Sequence, residues 1–221
     1  MIHLDNYRAI QASLKAYRAQ LVAVSKTKPV EAIQQFYDLG HRVFGENRVQ
    51  ELSSKYATLP KDIRWHMIGS LQRNKVKVIA PFIDLIHSVD SFRLLKEINK
   101  QAINNDRVIN CLLQFHIAEE QTKAGLTLEE AEVMLESDAF GLLKNIAIKG
   151  VMGMATFTVN QNQVQQEFAQ LKSIFDQLKQ GYFSEDSQFE EISMGMSGDY
   201  EIALKEGSSL IRVGSKLFGT R

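Results

Sequence analysis

The chain has 221 residues, with 26 Lys+Arg against 26 Asp+Glu and a formal net charge of zero at pH 7. Such a length can bury a sizeable apolar core, so neither disulfides nor a structural metal is needed for folding. The balanced charge argues against a nucleic-acid or membrane-surface partner, and no run approaches the ~18 consecutive apolar residues of a membrane span. With a single cysteine, Cys111, and no recognisable signal peptide, we expect a cytoplasmic protein forming one domain over residues 1–221.

The predicted elements alternate between short strands and longer helices. A helix over about 5–19 comes first, because apolar side chains recur there at helical spacing, at Tyr7, Ile10, Leu14 and Tyr17. Strands are then predicted at 21–25, 42–44, 64–68, 83–87, 109–116, 146–152, 191–194 and 210–213. Helices are predicted between them at about 29–39, 46–57, 72–80, 91–104, 127–137, 162–179 and 199–206.

This alternation predicts an α/β protein of parallel βα units, closed as a (β/α)8 TIM barrel with an extra N-terminal helix. Pro29 and Gly40 suit the start and end of one connecting helix, and Ser91 suits the N-cap of another. The alternative is an open doubly wound sheet. That fold would need a glycine-rich phosphate loop after the first strand, and the segment 24–29 contains no glycine.

Lys26 follows the first predicted strand, and barrels carry their chemistry at the carboxyl ends of strands. Strand alternation places Lys26 on the same face as Val22 and Val24. If that face lines the barrel, Lys26 points into its mouth, where an ammonium is costly unless it is paired or deprotonated. A deprotonated lysine suits a Schiff base, whereas the alternative is a solvated loop lysine. Lys28 is the weaker candidate because it directly precedes a helix, whose N-terminus repels cations.

An anion site is predicted at the other end of the chain. Alternation in the last strand turns Leu210 and Arg212 inward and Ile211 and Val213 toward the helices. The Arg212 guanidinium needs an acceptor that it can donate to, and nearby loops offer amides and hydroxyls to the same anion. Those loop residues are Ser197, Gly198, Gly214 and Ser215. The alternative interpretation is an ordinary helix cap with a structural ion pair at the arginine.

The remaining candidates carry weaker signals. His66, His87 and His116 lie in or near three strands, yet no His-x-His pair or carboxylate cluster completes a metal site, so we expect core or hydrogen-bonded histidines. Cys111 lies in an apolar run and is expected to pack in the core. No Ser/His/Asp triad can be assembled from spacing. Two methionine pairs could line a flat ring: Met152 with Met154, and Met194 with Met196.

Several separate motifs occur in a fixed order along nearly the whole chain. They are AVSKTKP at 23–29, FGEN at 44–47 with QE at 50–51, WHMIG at 65–69 with LQ at 71–72 and NK at 74–75, SMGMS at 193–197 with Asp199, and RVG at 212–214 with FG at 218–219. With these motifs the sequence closely resembles the pyridoxal 5′-phosphate homeostasis protein family, also called the YggS/PROSC family. It departs from the pattern of that family at Ser70, His116 and Ala155.

The resemblance implies the barrel of alanine racemase, the type III fold that binds pyridoxal 5′-phosphate (PLP), and PLP as the cofactor. By position, Lys26 matches the lysine that holds PLP as an aldimine. Arg212 matches the residue that faces the pyridine nitrogen, and Asn47 matches an asparagine near the ring. The phosphate cradle is matched by Ser197, Gly214 and Ser215. The family is regarded as a carrier and regulator of PLP without an established reaction.

Three functions compete at this stage. The first is a monomeric PLP carrier in intracellular PLP homeostasis, whose partners are PLP and the apo-forms of PLP-dependent enzymes. The second is an amino-acid racemase of the alanine racemase type; it would need a second domain that supplies a tyrosine, and an arginine at the pyridine nitrogen weakens the ring as an electron sink. The third is an aldolase that uses Lys26 without cofactor, which would be colourless, whereas a PLP imine is yellow.

Overall fold

The computed structural model describes residues 2–119 and 124–219. Its centre is a closed barrel of eight parallel strands in chain order, with β8 paired to β1. The strands are β1 Gln20–Val24, β2 Val43–Glu46, β3 Arg64–Met67, β4 Leu85–Val89, β5 Ile109–Gln114, β6 Ile146–Met152, β7 Glu191–Ser193 and β8 Leu210–Val213. The predicted (β/α)8 barrel with eight strands is therefore confirmed, and the open sheet is excluded.

Helices surround this barrel. They are α1 Leu4–Tyr17, α2 Val30–Asp38, α3 Val49–Thr58, α4 Arg73–Ile79, α5 Phe92–Ile103, α6 Leu128–Glu136, α7 Asp138–Gly141, α8 Gln161–Gly181, α9 Tyr200–Lys205 and α10 Ser215–Phe218. All predicted helices are present. Sequence periodicity missed α7 and α10, because four residues are too few to show a repeat of 3.6. Among the described residues no helix is long and apolar enough to cross a membrane.

Two predicted boundaries were wrong for the same reason. Strand β4 lies two residues later than predicted, since Ser88 and Val89 are buried and continue the strand. Helix α3 was predicted from residue 46, yet Glu46 ends β2 as a buried strand residue. In both places a polar side chain is buried in a strand, which a hydrophobicity pattern reads as the end of that strand. The Ser91 cap is confirmed, because its side chain accepts a hydrogen bond from the Leu94 amide.

Helix α1 closes the side of the barrel where β8 meets β1. Strand β8 is followed only by the four-residue α10, too short to cover this side. Helix α1 buries Ile10 and Leu14 there, while Tyr17 stays exposed at the helix end. The His3 amide donates to the Leu217 carbonyl at 2.8 Å, which joins α1 to α10. The extra N-terminal helix thus supplies the apolar face that an eighth full connecting helix would otherwise provide.

Strand alternation divides the apolar side chains into two clusters. The inner cluster fills the barrel with Val22, Val43, Leu85, Leu112, Met152 and Leu210. The larger outer cluster packs the strands against the helices and includes Ala23, Ile211 and Val213. The predicted inward face of β1 and of β8 is therefore confirmed.

A β-bulge in β6 reverses this alternation partway along the strand. The pairing with β5 jumps from Cys111–Ile148 to Leu112–Gly150, so Lys149 is an extra residue. Ile148 and Val151 both pack outside the barrel as a result, and Met152 points inside. Gly150 has a φ of +149°, and a Cβ there would lie 1.8 Å from the Glu191 carbonyl oxygen of β7. Only glycine fits this bulge.

We predict that Gly150→Ala lowers the free energy of unfolding by at least about 2 kcal/mol, because the β6–β7 pairing must open to admit the methyl group. The matched control is Gly181→Ala at the end of α8, where a Cβ would have no atom within 4 Å. That variant should change stability by less than about 1 kcal/mol. Urea unfolding of both variants measures the difference, and equal stabilities would contradict the assigned role of the bulge.

Candidate functional site

The carboxyl ends of the strands surround a cavity of about 670 Å³. Residues predicted from sequence to form the site reach this cavity from the ends of β1, β2, β7 and β8. They are Lys26, Asn47, Ser197, Arg212, Gly214 and Ser215. The fold thus brings these six residues, which come from both ends of the sequence, to one cavity.

The cavity has an apolar wall. Val24, Ile68 and Met154 line it together with Met196. The expectation that two methionine pairs line a flat ring is half right, since only the second member of each pair reaches the cavity. Met152 belongs to the barrel interior and Met194 to the outer core.

Lys26 sits on a short segment whose backbone is held on both sides. The Ser25 amide donates to the Gly45 carbonyl at 3.0 Å, and the Lys28 amide donates to the Ser25 carbonyl at 3.0 Å. Thr27 has a φ of +64°, which a non-glycine residue adopts only when its surroundings enforce it. The Thr27 amide donates to a Glu51 carboxylate oxygen at 2.6 Å. These bonds fix the direction in which Lys26 leaves β1.

A buried ion cluster beneath this segment was not predicted. The Lys55 ammonium of α3 donates to the Ser25 carbonyl at 2.8 Å, to Glu46 at 2.7 Å and to Glu51 at 2.6 Å. The Ser25 hydroxyl donates to the same Glu46 oxygen at 2.6 Å. Burial raises the pKa of Glu46, although Lys55 opposes that shift. The i,i+4 spacing of Glu51 and Lys55 was the sequence signal that could have found this cluster.

Lys28, the weaker candidate for the Schiff-base lysine, points away from the cavity. Its ammonium donates to the Phe218 and Gly219 carbonyls at 3.1 and 3.0 Å, at the end of α10. It does not belong to the described lining of the cavity.

Arg212 is the buried cation of the cavity. It is 4% exposed, and its Nη1 donates to the Ser193 hydroxyl at 2.5 Å while its Nη2 donates to the Gly153 carbonyl at 3.0 Å. Burial lowers the pKa of Arg212 to about 10, which leaves it protonated at neutral pH. Among the described residues its hydrogen-bond acceptors are neutral and no carboxylate forms an ion pair with it, which does not favour the alternative of a structural ion pair; the charge of Asp199 opposes the effect of burial.

The two loops of the predicted phosphate cradle are in direct contact. The Gly214 amide donates to the Ser197 hydroxyl at 3.2 Å, which joins the loop after β8 to the loop after β7. A Cβ on Gly214 would lie 3.1 Å from the Val24 carbonyl oxygen, so the glycine lets this loop lie tightly against β1. The Asp199 carboxylate accepts from the Met196 amide at 2.5 Å and shapes the turn that carries Ser197.

Asn47 and Gln114 complete the polar lining. A Cβ on Gly69 would lie 2.5 Å from the Asn47 carbonyl oxygen, so the loop after β3 can press against Asn47 only because residue 69 is glycine. Gln114, at the end of β5, lines the cavity and donates to the Ala124 carbonyl at 2.6 Å. Sequence reasoning missed Gln114. The alternation that places Leu112 inside the barrel could have indicated it.

The histidines and the cysteine lie outside the cavity lining. His66 and His87 are buried in the barrel with Nδ1 of the former 2.9 Å from Nε2 of the latter, which confirms that they are hydrogen-bonded core residues. His116 borders a different cavity beside α8. Cys111 packs in the outer core as predicted. Within residues 2–119 and 124–219 there is no cluster of three His, Cys, Asp or Glu side chains suited to a metal ion.

Comparisons with known proteins agree on one family. The profile described as "Alanine racemase, N-terminal domain" matches residues 4–221. A pyridoxal phosphate homeostasis protein of Aquifex aeolicus is 39% identical over 92% of this chain and 87% of its own length. Another, of Helicobacter pylori, is 37% identical over 96% of this chain and 92% of its own length.

Solved structures extend this similarity. PipY of Synechococcus elongatus, solved with PLP bound, is 35% identical, with a TM-score of 0.87 over 97% of this chain and 99% of its own. An alanine racemase of Bartonella henselae shares the fold, at 14% identity and a TM-score of 0.69, over 99% of this chain and 60% of its own. The resemblance seen in the sequence motifs is confirmed: the chain belongs to the pyridoxal phosphate homeostasis protein family, built on the alanine racemase N-terminal domain.

Proposed function

We propose that this protein binds PLP through a covalent bond to Lys26 and takes part in PLP homeostasis as a carrier without catalytic turnover. One observation carries the proposal: a single cavity with apolar walls is lined by a lysine, by a buried arginine without a described ion-pair partner, and by two loops that offer backbone amides and hydroxyls. The relative PipY, solved with PLP bound, and the relatives named pyridoxal phosphate homeostasis proteins support it.

The described residues fit the chemical groups of PLP. A cavity of about 670 Å³ with walls of Val24, Ile68, Met154 and Met196 suits a flat ring. The contact between Gly214 and Ser197 forms a concave polar corner in which a phosphate, with its roughly two negative charges, can accept hydrogen bonds. Arg212 supplies a donor for the ring nitrogen, which is an acceptor.

PLP supplies an aldehyde carbon with which an amine condenses, with loss of one water molecule. Lys26 is the residue we assign to this bond, because its backbone is held in the cavity mouth by the hydrogen bonds around Ser25 and Thr27. The proton lost by the Lys26 ammonium passes to solvent, to which the half-buried side chain has access. The bond is reversible by hydrolysis, so the same lysine that retains the cofactor can release it.

The described lining of the cavity does not support the racemase alternative. Among its described lining residues there is no Tyr, His or Cys, and Asp199 is the one carboxylate, already accepting a hydrogen bond from the Met196 amide. A racemase needs acid–base groups on both faces of the reacting carbon, and Lys26 provides one. Arg212 further keeps the ring nitrogen unprotonated, which weakens the ring as an electron sink.

The remaining parts of the proposal concern partners and compartment. The proposed recipients of the cofactor are apo-forms of PLP-dependent enzymes. The proposed working unit is the monomer, since one chain supplies every assigned site residue. The proposed compartment is the cytoplasm, where the lone thiol of Cys111 stays reduced.

The first test locates the covalent bond. Borohydride reduction of the PLP-loaded protein, followed by peptide mapping, should place the pyridoxyl group on Lys26. Lys26→Ala should abolish the label and the visible absorbance, whereas the control Lys28→Arg should retain both. A label on Lys28, or on Lys123, which lies outside the described residues, would contradict the assignment.

A second test concerns the phosphate corner. Gly214→Val should weaken PLP binding about ten- to hundred-fold, because a side chain there meets the Val24 carbonyl and displaces an amide that donates to a charged group. Pyridoxal, which lacks the phosphate, is the control ligand, and its affinity should change less than about twofold. Equal losses for both ligands would contradict the placement of the phosphate, and circular dichroism verifies that the variant folds.

The third test separates carrier from racemase. The PLP-loaded protein, given L-alanine or another amino acid, should racemise it far below the ordinary enzymatic range of about 1 per second or more. Chiral chromatography of the amino acid measures the rate, and the protein reduced with borohydride is the control. A rate within the enzymatic range would overturn the carrier function and establish the racemase alternative.

A further inference from the structure

A continuous chain of polar side chains runs through the barrel below the cavity. It begins at Arg212, whose Nη1 donates to Ser193 Oγ at 2.5 Å. Ser193 Oγ lies 2.9 Å from His87 Nδ1, and His87 Nε2 lies 2.9 Å from His66 Nδ1. The chain ends where His66 Nε2 lies 3.3 Å from the Asp84 carboxylate. Four of the five side chains are buried in the barrel, and Asp84 is half-buried.

Asp84 lies at the opposite mouth of the barrel from the proposed PLP cavity. A second cavity of about 290 Å³ opens there, lined by Asp84 and His66 together with charged side chains in β3, in β6 and at or just before the start of β7. Those charged residues are Arg64, Lys149, Glu190 and Glu191. Burial alone would oppose ionisation, but the His66 hydrogen bond and the charges of Arg64 and Arg107 hold the pKa of Asp84 below its usual range. This series of hydrogen-bonded side chains therefore ends, at neutral pH, in the ionised carboxylate of Asp84.

The two ends of the chain determine the direction of every hydrogen bond in it. A guanidinium can only donate, so Ser193 accepts from Arg212; the Ser193 proton is then given to His87 Nδ1 when the proton of that ring lies on Nε2, as the Asp84 end requires of neutral rings. His87 then carries its proton on Nε2 and donates to His66 Nδ1. His66 likewise carries its proton on Nε2 and donates to Asp84, which as a carboxylate can only accept.

The opposite tautomers leave the chain unsatisfied. With protons on both Nδ1 atoms, the Nε2 lone pair of His66 would face the Asp84 carboxylate, and the Ser193 proton would have no described acceptor. Burial lowers the pKa of both histidines; the Asp84 carboxylate opposes this shift at His66 without cancelling it, and the Arg212 charge lowers the pKa of His87 further, so both rings are neutral at pH 7. A buried polar network is stabilising only when every donor and acceptor in it forms a hydrogen bond. Protons on Nε2 of both histidines satisfy every member of this network.

We propose that Asp84, His66, His87 and Ser193 act as positioning residues for Arg212: the carboxylate at the far mouth fixes one tautomer in each histidine and thereby the orientation in which Arg212 faces the ligand cavity. The role of Arg212 toward the cofactor rests on the proposed function. The order of the hydrogen bonds does not, because it follows from the side chains of this protein alone.

Nitrogen-15 NMR of the imidazole rings in PLP-free protein at pH 7 tests the order directly. Both His66 and His87 should be neutral and protonated on Nε2. A proton on Nδ1 of either ring, or a doubly protonated ring, overturns the proposal. This measurement needs no cofactor, so it holds whether or not the protein carries PLP.

His66→Phe tests the coupling. It removes the acceptor of the His87 Nε2 proton, so in the PLP-free variant His87 should change to the Nδ1-protonated tautomer and donate to Ser193. The Ser193 proton then needs a new acceptor, so the hydroxyl should turn and weaken its hydrogen bond with Arg212; losing that one bond to a charged group should raise the PLP dissociation constant about tenfold. The matched control is His41→Phe. His41 is also buried, but it does not belong to this hydrogen-bonded series, and its Nε2 lies 2.7 Å from the Val43 carbonyl oxygen. This variant should move neither the His87 tautomer nor the dissociation constant.

The possible outcomes are separable. A tautomer change in His66→Phe without a change in PLP affinity overturns the proposed link to Arg212. Equal losses of affinity in His66→Phe and His41→Phe overturn it as well, because they show general destabilisation. If the native protein binds no PLP, the proposed function fails, while the native tautomers still decide the order of the chain. They also decide it if His66→Phe does not fold.

Discussion

The parallel pairing of β8 with β1 is the contact on which the site depends. Its register places Val22 opposite Arg212 and Ala23 opposite Val213, so the first and last strands end side by side. Lys26 and Gly214 follow these strands, and the close contact of Gly214 with the Val24 carbonyl shows how tightly the two loops meet. Closure of the barrel therefore brings Lys26, from the start of the chain, into one cavity with Arg212 and Gly214 from its end.

Two buried cations, Lys55 and Arg212, lie near the pairing of β8 with β1, and they differ in the groups that accept their hydrogen bonds. Lys55 is neutralised by Glu46 and Glu51 and serves to hold the backbone around Ser25. Arg212 has only neutral acceptors among its described partners. The Asp199 charge acts on Arg212 without a direct ion pair, so burial of this guanidinium is less fully compensated than burial of the Lys55 ammonium. The two cations therefore differ in their partners: Lys55 is held by two carboxylates, and Arg212 by a hydroxyl and a carbonyl.

The polar interior explains how Arg212 is tolerated. Most of a small barrel is filled by apolar side chains, as the inner cluster shows here. On one side of this barrel His66, His87 and Ser193 replace apolar residues and lead from Arg212 to a carboxylate near solvent. Through the neutral histidines, the charge of Arg212 is linked by several hydrogen bonds to the Asp84 carboxylate at the far mouth, without a direct ion pair in the barrel.

Alternation along a strand was sufficient to predict which side chains face into the barrel where the strands are regular. It predicted the inward positions of Leu210 and Arg212, and the shared face of Val24 and Lys26, because β1 and β8 pair without interruption. It was not sufficient in β4 and β6, where shifts in register change the face that later residues present. Met152 points inward only because the bulge at Gly150 adds a residue, and no local pattern announces which glycine carries a bulge.

The sequence by itself determined the (β/α)8 barrel, its N-terminal helix and six residues of the candidate site, because strand periodicity, punctuation and family motifs are local properties of the chain. Only the tertiary structure decided which neutral groups face Arg212, that Lys55 supports the Lys26 segment, and that two histidines join a carboxylate at one mouth to an arginine at the other. Those contacts join residues distant in sequence, and their partners are fixed by register and burial, which exist only once the barrel has closed.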